Sequence, residues 1–334
     1  MPDPSPASLH VHIQNPAGET LFPITRAQWD QAVARAGAAG QALTVSIADD
    51  DAGFSTAMAR ADLLITWTKE IKARFPHTAP RLKWVMATSA GLDRLAPFDM
   101  IPPPVRLLNN SGAHAVKAGE WGVMAVLMIA NRIPTLTTAQ REGRWQPIFT
   151  RSVAGRTVVV VGLGDLGGSI AANCSLLGMR VIGCSARGAP HPACERVVTS
   201  ENLDTVLPGA DVLVLAMPLT AATQGMITRG MLSLLPLHAG VVNIARGAVI
   251  DQDALCDMLE AGRLSGAVLD VFTPEPIPMG HRLWRTPNLV ISPHVSSDDP
   301  DTYNPRTLDI FFRNLVAWRA GEAMPNEVDR TRGY

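Results

Sequence analysis

The sequence has few cysteines, and their placement excludes the common cysteine-based frameworks. The four residues, Cys174, Cys184, Cys194 and Cys256, form no C-x-x-C pair. Such a set is too small and too scattered for a disulfide scaffold or a zinc ribbon, and no H-E-x-x-H or comparable spacing indicates a metal site. We therefore expect a protein of a reducing compartment without a bound metal.

The sequence also lacks an excess of charge of either sign. The 29 Lys and Arg residues are balanced by 30 Asp and Glu residues, which gives a formal net charge of −1. A general binder of nucleic acid or of anionic membranes needs an excess of basic side chains to neutralise phosphates. The balance argues against nucleic acid and membrane as partners. A local basic patch is the one such feature that the net charge does not exclude.

Neither a signal peptide nor a membrane-spanning run is visible. The stretch from Met1 to Pro6 holds three prolines and no basic segment followed by an apolar one, as a signal peptide would require. The longest strongly apolar stretch, Trp121 to Ala130, is well short of the ~18 residues needed to cross a bilayer. We therefore expect a cytoplasmic protein.

The remaining composition favours a globular α/β protein. At ~150 residues per domain, 334 residues indicate about two domains, and the hydrophobic share of 47% is enough for a large core. Short apolar runs alternate with amphipathic stretches, which predicts strands connected by helices in parallel sheets. In the first hundred residues the predicted strands are Ser8 to Ile13, Leu43 to Ile47, Leu63 to Trp67, Leu82 to Ala87 and Val105 to Leu108, with helices at Arg26 to Ala36 and Lys69 to Phe75.

A second and denser α/β series begins at Arg156. It contains six predicted strands separated by crossovers, which suits a doubly wound sheet. Helices are predicted at Asp165 to Leu177 and Gln252 to Ala261, and a last helix at Asp301 to Ala320. The predicted strands are Thr157 to Val161, Arg180 to Cys184, Val212 to Ala216, Gly240 to Ile244, Gly266 to Leu269 and Leu289 to Ser292.

Between the two series, residues Ala113 to Ile133 are predicted to form one long helix. Its apolar residues are distributed nearly all round, and a helix apolar on most faces has to be buried on most faces. Three alternatives explain this equally well: a hinge packed between two domains, part of a subunit interface, or an ordinary core helix.

A phosphate-binding glycine motif lies at the start of the second series. The residues Gly162, Gly164 and Gly167 form G-x-G-x-x-G directly after a valine-rich strand and before a helical run, which is the context of a dinucleotide-binding turn. Gly162 would allow the tight turn, Gly164 the approach of the pyrophosphate, and Gly167 the packing of helix on strand. With Asp165 and Leu166 between them, these residues are candidates for cofactor binding.

The end of the second strand indicates which dinucleotide binds. An NAD-selective site usually carries an acid about 20 residues after the motif, on the ribose hydroxyls. Here the strand ends with Ser185 and Arg187 close together, and no acid precedes Glu195. Arg187 could pair with a 2′-phosphate and Ser185 could donate a hydrogen bond to it. The sequence therefore favours NADP(H) over NAD(H).

Three further segments end strands of the same series, where an open α/β sheet places its ligand site. They contain Arg246 in N-I-A-R-G, Glu275 in D-V-F-T-P-E-P and His294 in I-S-P-H-V-S-S. With the glycine motif, this order of residues resembles the D-isomer-specific 2-hydroxyacid dehydrogenase family along nearly the whole chain. The early loop Ser89-Ala90-Gly91 is similar to the loop that binds the substrate carboxylate in that family.

The chemistry of 2-oxo acid reduction explains why these residue types occur together. A hydride must reach the carbonyl carbon and a proton must reach the carbonyl oxygen. His294 can act as general acid, or as base in the reverse direction, because imidazole titrates near neutral pH. Glu275 would favour the imidazolium and fix the ring orientation, and Arg246 would hold the substrate carboxylate and stabilise charge on the carbonyl oxygen. The other histidines singled out, His114, His191 and His281, have no convincing chemical context.

The resemblance implies an architecture and a wider set of cofactor-binding residues. A Rossmann cofactor domain at 113–299 would be inserted into a flavodoxin-like substrate domain made of 1–112 and 300–334, each with a doubly wound parallel sheet. The resemblance also implies a homodimer whose interface includes the long helix. The further residues expected at the cofactor are Met217, Pro218, Ile244, Ala245 and Asp270.

The sequence thus predicts an NAD(P)-dependent oxidoreductase that interconverts a small 2-oxo acid and a D-2-hydroxy acid. Within the family, the H-R-L-W segment at 281–284 and the basic end of the second strand resemble the glyoxylate/hydroxypyruvate reductase branch. Some relatives use the same fold as a dinucleotide-sensing corepressor, and the intact Arg246, Glu275 and His294 set does not exclude that alternative.

Overall fold

The computed structural model describes residues 8–18 and 22–333. The chain divides into two compact units, each described by itself. Unit 1 takes its residues from Met1–Ala113 and Asp299–Tyr334, and unit 2 consists of His114–Asp298. Unit 2 is therefore inserted, in sequence, between the two parts of unit 1.

The described residues form twelve β-strands. In chain order they are β1 Leu9–Gln14, β2 Leu43–Ala48, β3 Leu63–Thr66, β4 Trp84–Ala87, β5 Arg106–Leu108, β6 Thr157–Val161, β7 Arg180–Ser185, β8 Arg196–Thr199, β9 Val212–Leu215, β10 Gly240–Asn243, β11 Gly266–Leu269 and β12 Leu289–Ile291.

The same part of the chain forms nine α-helices, together with short 3₁₀ turns. The helices are α1 Arg26–Ala36, α2 Asp51–Met58, α3 Thr68–Arg74, α4 Ala115–Ala130, α5 Ile133–Arg141, α6 Asp165–Leu176, α7 Arg229–Ser233, α8 Gln252–Glu260 and α9 Tyr303–Arg319.

Both sheets are parallel, and their strand orders are those of doubly wound folds. Unit 1 has the order β2-β1-β3-β4-β5, which is the flavodoxin-like order. Unit 2 has the order β12-β11-β10-β9-β6-β7-β8, which is the Rossmann order with a seventh strand. The predicted α/β fold with two doubly wound parallel sheets is confirmed.

The inner strands of each sheet are buried on both faces, which is why β3 and β4 in unit 1 and β6 and β9 in unit 2 are nearly unbroken apolar runs rather than alternating patterns. In β6, Val158 and Val160 pack towards α4 and α6, while Val159 and Val161 pack in the core that contains α7 and α8. Unit 1 is built in the same way, with α1 and α9 covering one face and α2 and α3 the other. The helices are thus the connections that bring successive strands into one parallel sheet.

Two sequence-based predictions are wrong, one about the number of strands and one about the end of a helix. The second series has seven strands rather than six, because the short edge strand β8 was missed: its residues are exposed or half-buried, so it carries no apolar run. The long helix ends at Ala130 rather than Ile133, since Arg132 adopts a left-handed backbone (φ 59°) and Pro134 begins α5. An arginine in that conformation interrupts a helix.

Helix α4 is a core helix with an exposed margin. Its small residues Ala118, Gly119 and Gly122 are buried, and it packs on α6, while Val116 and Met124 are 53% and 44% exposed. Among the described residues, no single helix is long and apolar enough to cross a membrane. Helices α4 and α5 taken together reach the required length and apolar composition, but a bend of 67° separates them.

Candidate active site

The glycine motif forms the turn between β6 and α6, at the point where the strand order of unit 2 reverses. Gly162 has φ 89°, and a Cβ there would lie 2.6 Å from the backbone nitrogen of Met217. Only glycine accepts this conformation and this approach together. The turn after β6 therefore lies directly against the turn after β9, at the switch point where doubly wound sheets bind nucleotides.

The turn has the open space and the donors that a pyrophosphate requires. Gly164 is the N-cap of α6, it is exposed, and a Cβ there would meet nothing within 4 Å. The N–H groups of a first helical turn have no partner within the helix, and the helix dipole favours an anion there. Asp165 and Leu166 contribute the first two of these N–H groups, so the residues present fit a dinucleotide.

The end of β7 presents a cation and no acid. Gly188 donates its N–H to Ser185 Oγ at 3.1 Å, and the tight turn between them leaves Arg187 exposed. Within the described part of the chain, no ion pair engages Arg187. Glu195, the first acid after the motif, lies at the opposite end of the strand, where its Oε2 is 3.3 Å from Arg180 Nε.

Several predicted cofactor residues can offer only their backbone. Met217, Ile244 and Ala245 are 5% or less exposed and belong to the cores of unit 2. Pro218 is exposed, and its carbonyl accepts a hydrogen bond from Thr223 Oγ1 at 2.6 Å. The turns after β9 and β10 could thus line the cofactor with main-chain atoms.

Arg246 is positioned by a turn that its neighbours close. The buried Asn243 accepts the N–H of Ala245 at 2.9 Å through Oδ1 and donates from Nδ2 to the carbonyl of Arg246 at 3.1 Å. The guanidinium is half-buried and donates from Nη1 to the Ala245 carbonyl at 2.7 Å. A Cβ at Gly247 would lie 2.1 Å from the carbonyl carbon of Phe272, so the arginine turn packs against the segment that carries Glu275.

Glu275 is fixed by the backbone on one side and contacts His294 on the other. Its Oε1 accepts the N–H of Phe272 at 2.8 Å, and its Oε2 lies 3.0 Å from His294 Nδ1. Gln252 holds the same segment, because its side-chain amide both donates to and accepts from the backbone of Thr273. The glutamate side chain is 20% exposed.

Within residues 8–18 and 22–333, the imidazole of His294 has one nitrogen in contact with a partner, Nδ1, and no partner is found there for Nε2. Because Nδ1 faces a carboxylate, it carries the proton, and Nε2 is the nitrogen that can exchange a proton with a substrate. The ring is 44% exposed. The backbone of His294 has φ 57°, a left-handed conformation that is unfavourable for a residue with a Cβ and that occurs at functional sites.

The segment 292–298, which we call the histidine loop, is held by Asp270. This side chain is 1% exposed; its Oδ1 accepts from Ser292 Oγ and, at 3.0 Å, from Val295 N, and its Oδ2 accepts from Ser296 N at 3.1 Å. Three hydrogen bonds to one loop occupy most of the acceptor capacity of a carboxylate. Asp270 therefore positions the histidine loop, which the sequence alone did not indicate.

The predicted substrate loop lies in unit 1, after β4. Ser89, Ala90 and Gly91 are half-buried. The Ser89 hydroxyl is 3.2 Å from Thr68 Oγ1, and the Ser89 carbonyl accepts the N–H of Asn110 at 3.1 Å. The loop is thus anchored at the carboxyl end of the five-stranded sheet.

Sequence reasoning missed the residues that shape the site without reacting. Asn243 stands two residues before Ala245, the spacing of an Asx turn, and this signal could have been used. Gly247 and Gln252 act through contacts with the Phe272–Thr273 backbone, and nothing in the sequence points to those partners.

The chain belongs to the D-isomer specific 2-hydroxyacid dehydrogenase family. Residues 123–296, just over half of the 334, match the model of the NAD-binding domain of that family. The predicted family and the prediction of an NAD(P)-dependent oxidoreductase are confirmed.

Individual relatives support the same assignment. Glyoxylate/hydroxypyruvate reductase A of Salmonella paratyphi B is 30% identical over 281 residues, which cover 82% of this chain and 88% of that protein. The predicted likeness to that branch is thereby confirmed. A D-isomer specific 2-hydroxyacid dehydrogenase from Xanthobacter autotrophicus Py2, solved in complex with NADPH and MES, is 30% identical with a TM-score of 0.80, over 98% of this chain and 100% of that one. A family member from Aeromonas salmonicida is 26% identical, with a TM-score of 0.80 and coverage of 97% and 100%.

Proposed function

We propose that the protein reduces a small 2-oxo acid to the D-2-hydroxy acid with NADPH, and catalyses the reverse reaction with NADP⁺. The observation that carries this proposal is the pair formed by His294 Nδ1 and Glu275 Oε2 at 3.0 Å, beside the turn that presents Arg246. The chemistry that the dinucleotide supplies when bound is hydride transfer at the carbon that carries the oxygen.

His294 is the general acid of the reduction. Its Nδ1–H is committed to Glu275, so the proton that reaches the carbonyl oxygen leaves from Nε2, and in the oxidation Nε2 accepts the hydroxyl proton. Glu275 stabilises the imidazolium that must exist before this transfer. The bond to the Phe272 backbone keeps the carboxylate in place, so the ring stays aligned as its charge changes.

Arg246 binds the substrate and stabilises developing charge. A guanidinium offers a planar fork of donors that matches a carboxylate and can also reach the adjacent carbonyl oxygen. We propose that Ser89, Ala90 and Gly91 bind the substrate carboxylate as well, through backbone N–H groups.

NADP(H) is the preferred cofactor in this proposal. Arg187 is exposed at the end of β7 and Ser185 lies three residues from Gly188 in the same turn, while Glu195 is engaged with Arg180. An acid at this strand end would repel a 2′-phosphate, and none is present. The Xanthobacter relative, which was solved with NADPH, is consistent with this preference.

We also propose a homodimer formed through unit 2. Trp145 and Phe149, in the segment between α5 and β6, are each 96% exposed, and Val116 and Met124 on α4 are 53% and 44% exposed. Large aromatic side chains exposed to this extent mark interaction sites on soluble proteins. A second copy of the chain is the partner that the resemblance to the family implies.

The decisive experiment measures NADPH oxidation with glyoxylate, hydroxypyruvate, pyruvate and phenylpyruvate. We expect turnover with at least one of them, and a loss of kcat of roughly 100-fold or more in His294→Ala, the scale of general acid catalysis, with the Kd for NADPH nearly unchanged. The control is His238→Ala, since that ring is 55% exposed and pairs with Asp211. A protein that binds NADPH but turns over none of these acids would contradict the proposal and favour the dinucleotide-sensing corepressor.

A further inference from the structure

His114 contacts the end of the histidine loop from a distant part of the sequence. It is the N-cap residue of α4 and the first residue of unit 2, while Ser297 and Asp298 are the last two. His114 Nδ1 lies 3.2 Å from the Ser297 carbonyl oxygen and 3.6 Å from Asp298 Oδ1. Its side chain is only 12% exposed.

The contacts of the His114 imidazole define its protonation state. A carbonyl oxygen can only accept a hydrogen bond, so Nδ1 carries a proton and donates a hydrogen bond to the Ser297 carbonyl. Burial lowers the pKa of His114, against the opposing effects of the Ser297 carbonyl and Asp298. The other charges acting on the ring are Arg246, which lowers its pKa, and Asp165, which raises it. The imidazole is therefore neutral near pH 7, and its Nδ1 donor persists in both protonation states.

The histidine loop needs support on both sides of His294. The left-handed backbone at His294 is unfavourable in isolation, and such conformations persist only where the surrounding structure holds them. Asp270 supplies bonds to Ser292, Val295 and Ser296. The bond from His114 extends this support to Ser297, where the chain leaves unit 2.

We propose that His114 is a positioning residue for His294, acting through its Nδ1–H bond to the Ser297 carbonyl. The inference rests on the proposed function, because His294 is the residue whose position it sets. His114 does not touch the reacting atoms in this scheme. Its loss would let the histidine loop open more often, and misplacement of a catalytic group by about 1 Å can cost ~100-fold in rate.

Three variants separate this role from simple packing. His114→Asn places an amide donor near the position of Nδ1, His114→Gln places it near that of Nε2, and His114→Leu removes it. The first readout is hydrogen exchange of the Val295 and Ser296 amides, which donate to Asp270. The second is kcat, with the KM for NADPH measured alongside. His238→Leu is the control, in the same unit and outside the site.

We expect His114→Gln and His114→Leu to exchange at these amides roughly tenfold faster than the wild type and to lose about tenfold or more in kcat, at an NADPH KM within twofold. His114→Asn should restore both values. Unchanged exchange in the Gln and Leu variants would overturn the proposal, as would faster exchange with unchanged kcat, or an Asn variant no better than Gln. His114→Gln keeps the test valid should the Leu variant not fold.

The exchange readout also separates this proposal from the proposed function. A wild type without 2-oxo acid turnover contradicts the function, and exchange alone then decides whether His114 holds the loop. Faster exchange of the Val295 and Ser296 amides in His114→Gln and His114→Leu, but not in His114→Asn, supports a role of His114 in holding the loop. Equal exchange in all variants refutes it.

Discussion

Gly247 and Phe272 approach so closely that a Cβ at position 247 would lie 2.1 Å from the Phe272 carbonyl carbon. This contact joins the arginine turn to the glutamate segment, and both segments meet at the carboxyl ends of adjacent parallel strands. The spatial relation of Arg246 to Glu275 is therefore set by a backbone contact rather than by the reacting side chains.

Gly247→Ala should damage both stability and catalysis. The added methyl has no space, so one of the two turns must shift, and we expect unfolding to become easier by about 1–3 kcal/mol and kcat to fall at least tenfold. Urea unfolding and steady-state kinetics measure both. The control is Gly230→Ala in α7, where the new Cβ meets only Thr228 Oγ1 at 3.5 Å; it should be neutral or stabilising by up to about 1 kcal/mol. Equal behaviour of the two variants would refute this account.

Glu275→Gln should lower kcat for reduction by roughly tenfold or more. The neutral amide can still accept the Phe272 N–H, but it no longer stabilises the imidazolium of His294, which is the proton donor. The KM for NADPH should stay within twofold, because the substitution leaves the glycine turn untouched. A kcat equal to that of the wild type across pH 5–9 would show that the pair at 3.0 Å has no catalytic role.

Arg187→Ala should reduce kcat/KM for NADPH by about 10- to 100-fold, the value of one or two hydrogen bonds to a charged group. The same variant should change kcat/KM for NADH little, since NADH has no 2′-phosphate. Arg180→Ala is the matched control, because Arg180 lies at the other end of β7 and pairs with Glu195. Equal losses with both cofactors would assign Arg187 a structural role.

The fold should lose stability on mild acidification, in part through His12. This side chain is fully buried, between Ser46 Oγ at 2.9 Å and Gln14 Oε1 at 3.0 Å, and burial lowers its pKa below the ordinary 6.5. The unfolded chain then binds more protons than the folded one, so the contribution is fully present above pH 6.5 and is lost as the pH falls through the lowered pKa. Urea unfolding at pH 7.5 and 5.5 should show a smaller loss in His12→Asn than in the wild type. The exposed control His238→Asn should retain the wild-type loss, and an equal loss in all three proteins would contradict the prediction.

The double variant Trp145→Ser, Phe149→Ser should shift the protein from dimer to monomer in sedimentation velocity at micromolar concentration. Both rings are 96% exposed, so the substitutions should not reduce the stability of the monomer. Met279→Ser is the control, because Met279 is fully exposed but lies outside that segment. A wild type that sediments as a monomer would contradict the proposed dimer directly.

The sequence was informative where local chemistry decides the structure. The valine run of β6 predicts a strand buried on both faces, and the glycines after it predict the turn that the structure contains. The strand β8 could not be found in this way, since an edge strand with half-exposed residues has no hydrophobic signature. The functional motifs likewise predicted that Glu275 and His294 lie together, but not which contacts hold them.

The supporting contacts of the site are non-local, which explains why they escaped prediction. Asp270 meets the backbone of residues 295 and 296, and His114 meets Ser297 across 183 positions of sequence. Backbone donors are the same at every residue, so no pattern of side chains identifies them. Only the fold brings a buried carboxylate to three donors of one loop.

The bonding of Asp270 restricts which residues can replace it. Asparagine has the same shape but only one acceptor oxygen, and its NH₂ group would face an N–H or O–H donor whose hydrogen bond Asp270 now accepts. Glutamate would need space for a further methylene in a site that is 1% exposed. Neither of the residues most similar to aspartate can therefore replace Asp270. This constraint comes from the histidine loop and not from the reaction, so a relative that had lost catalysis but kept the loop would still need aspartate at this position.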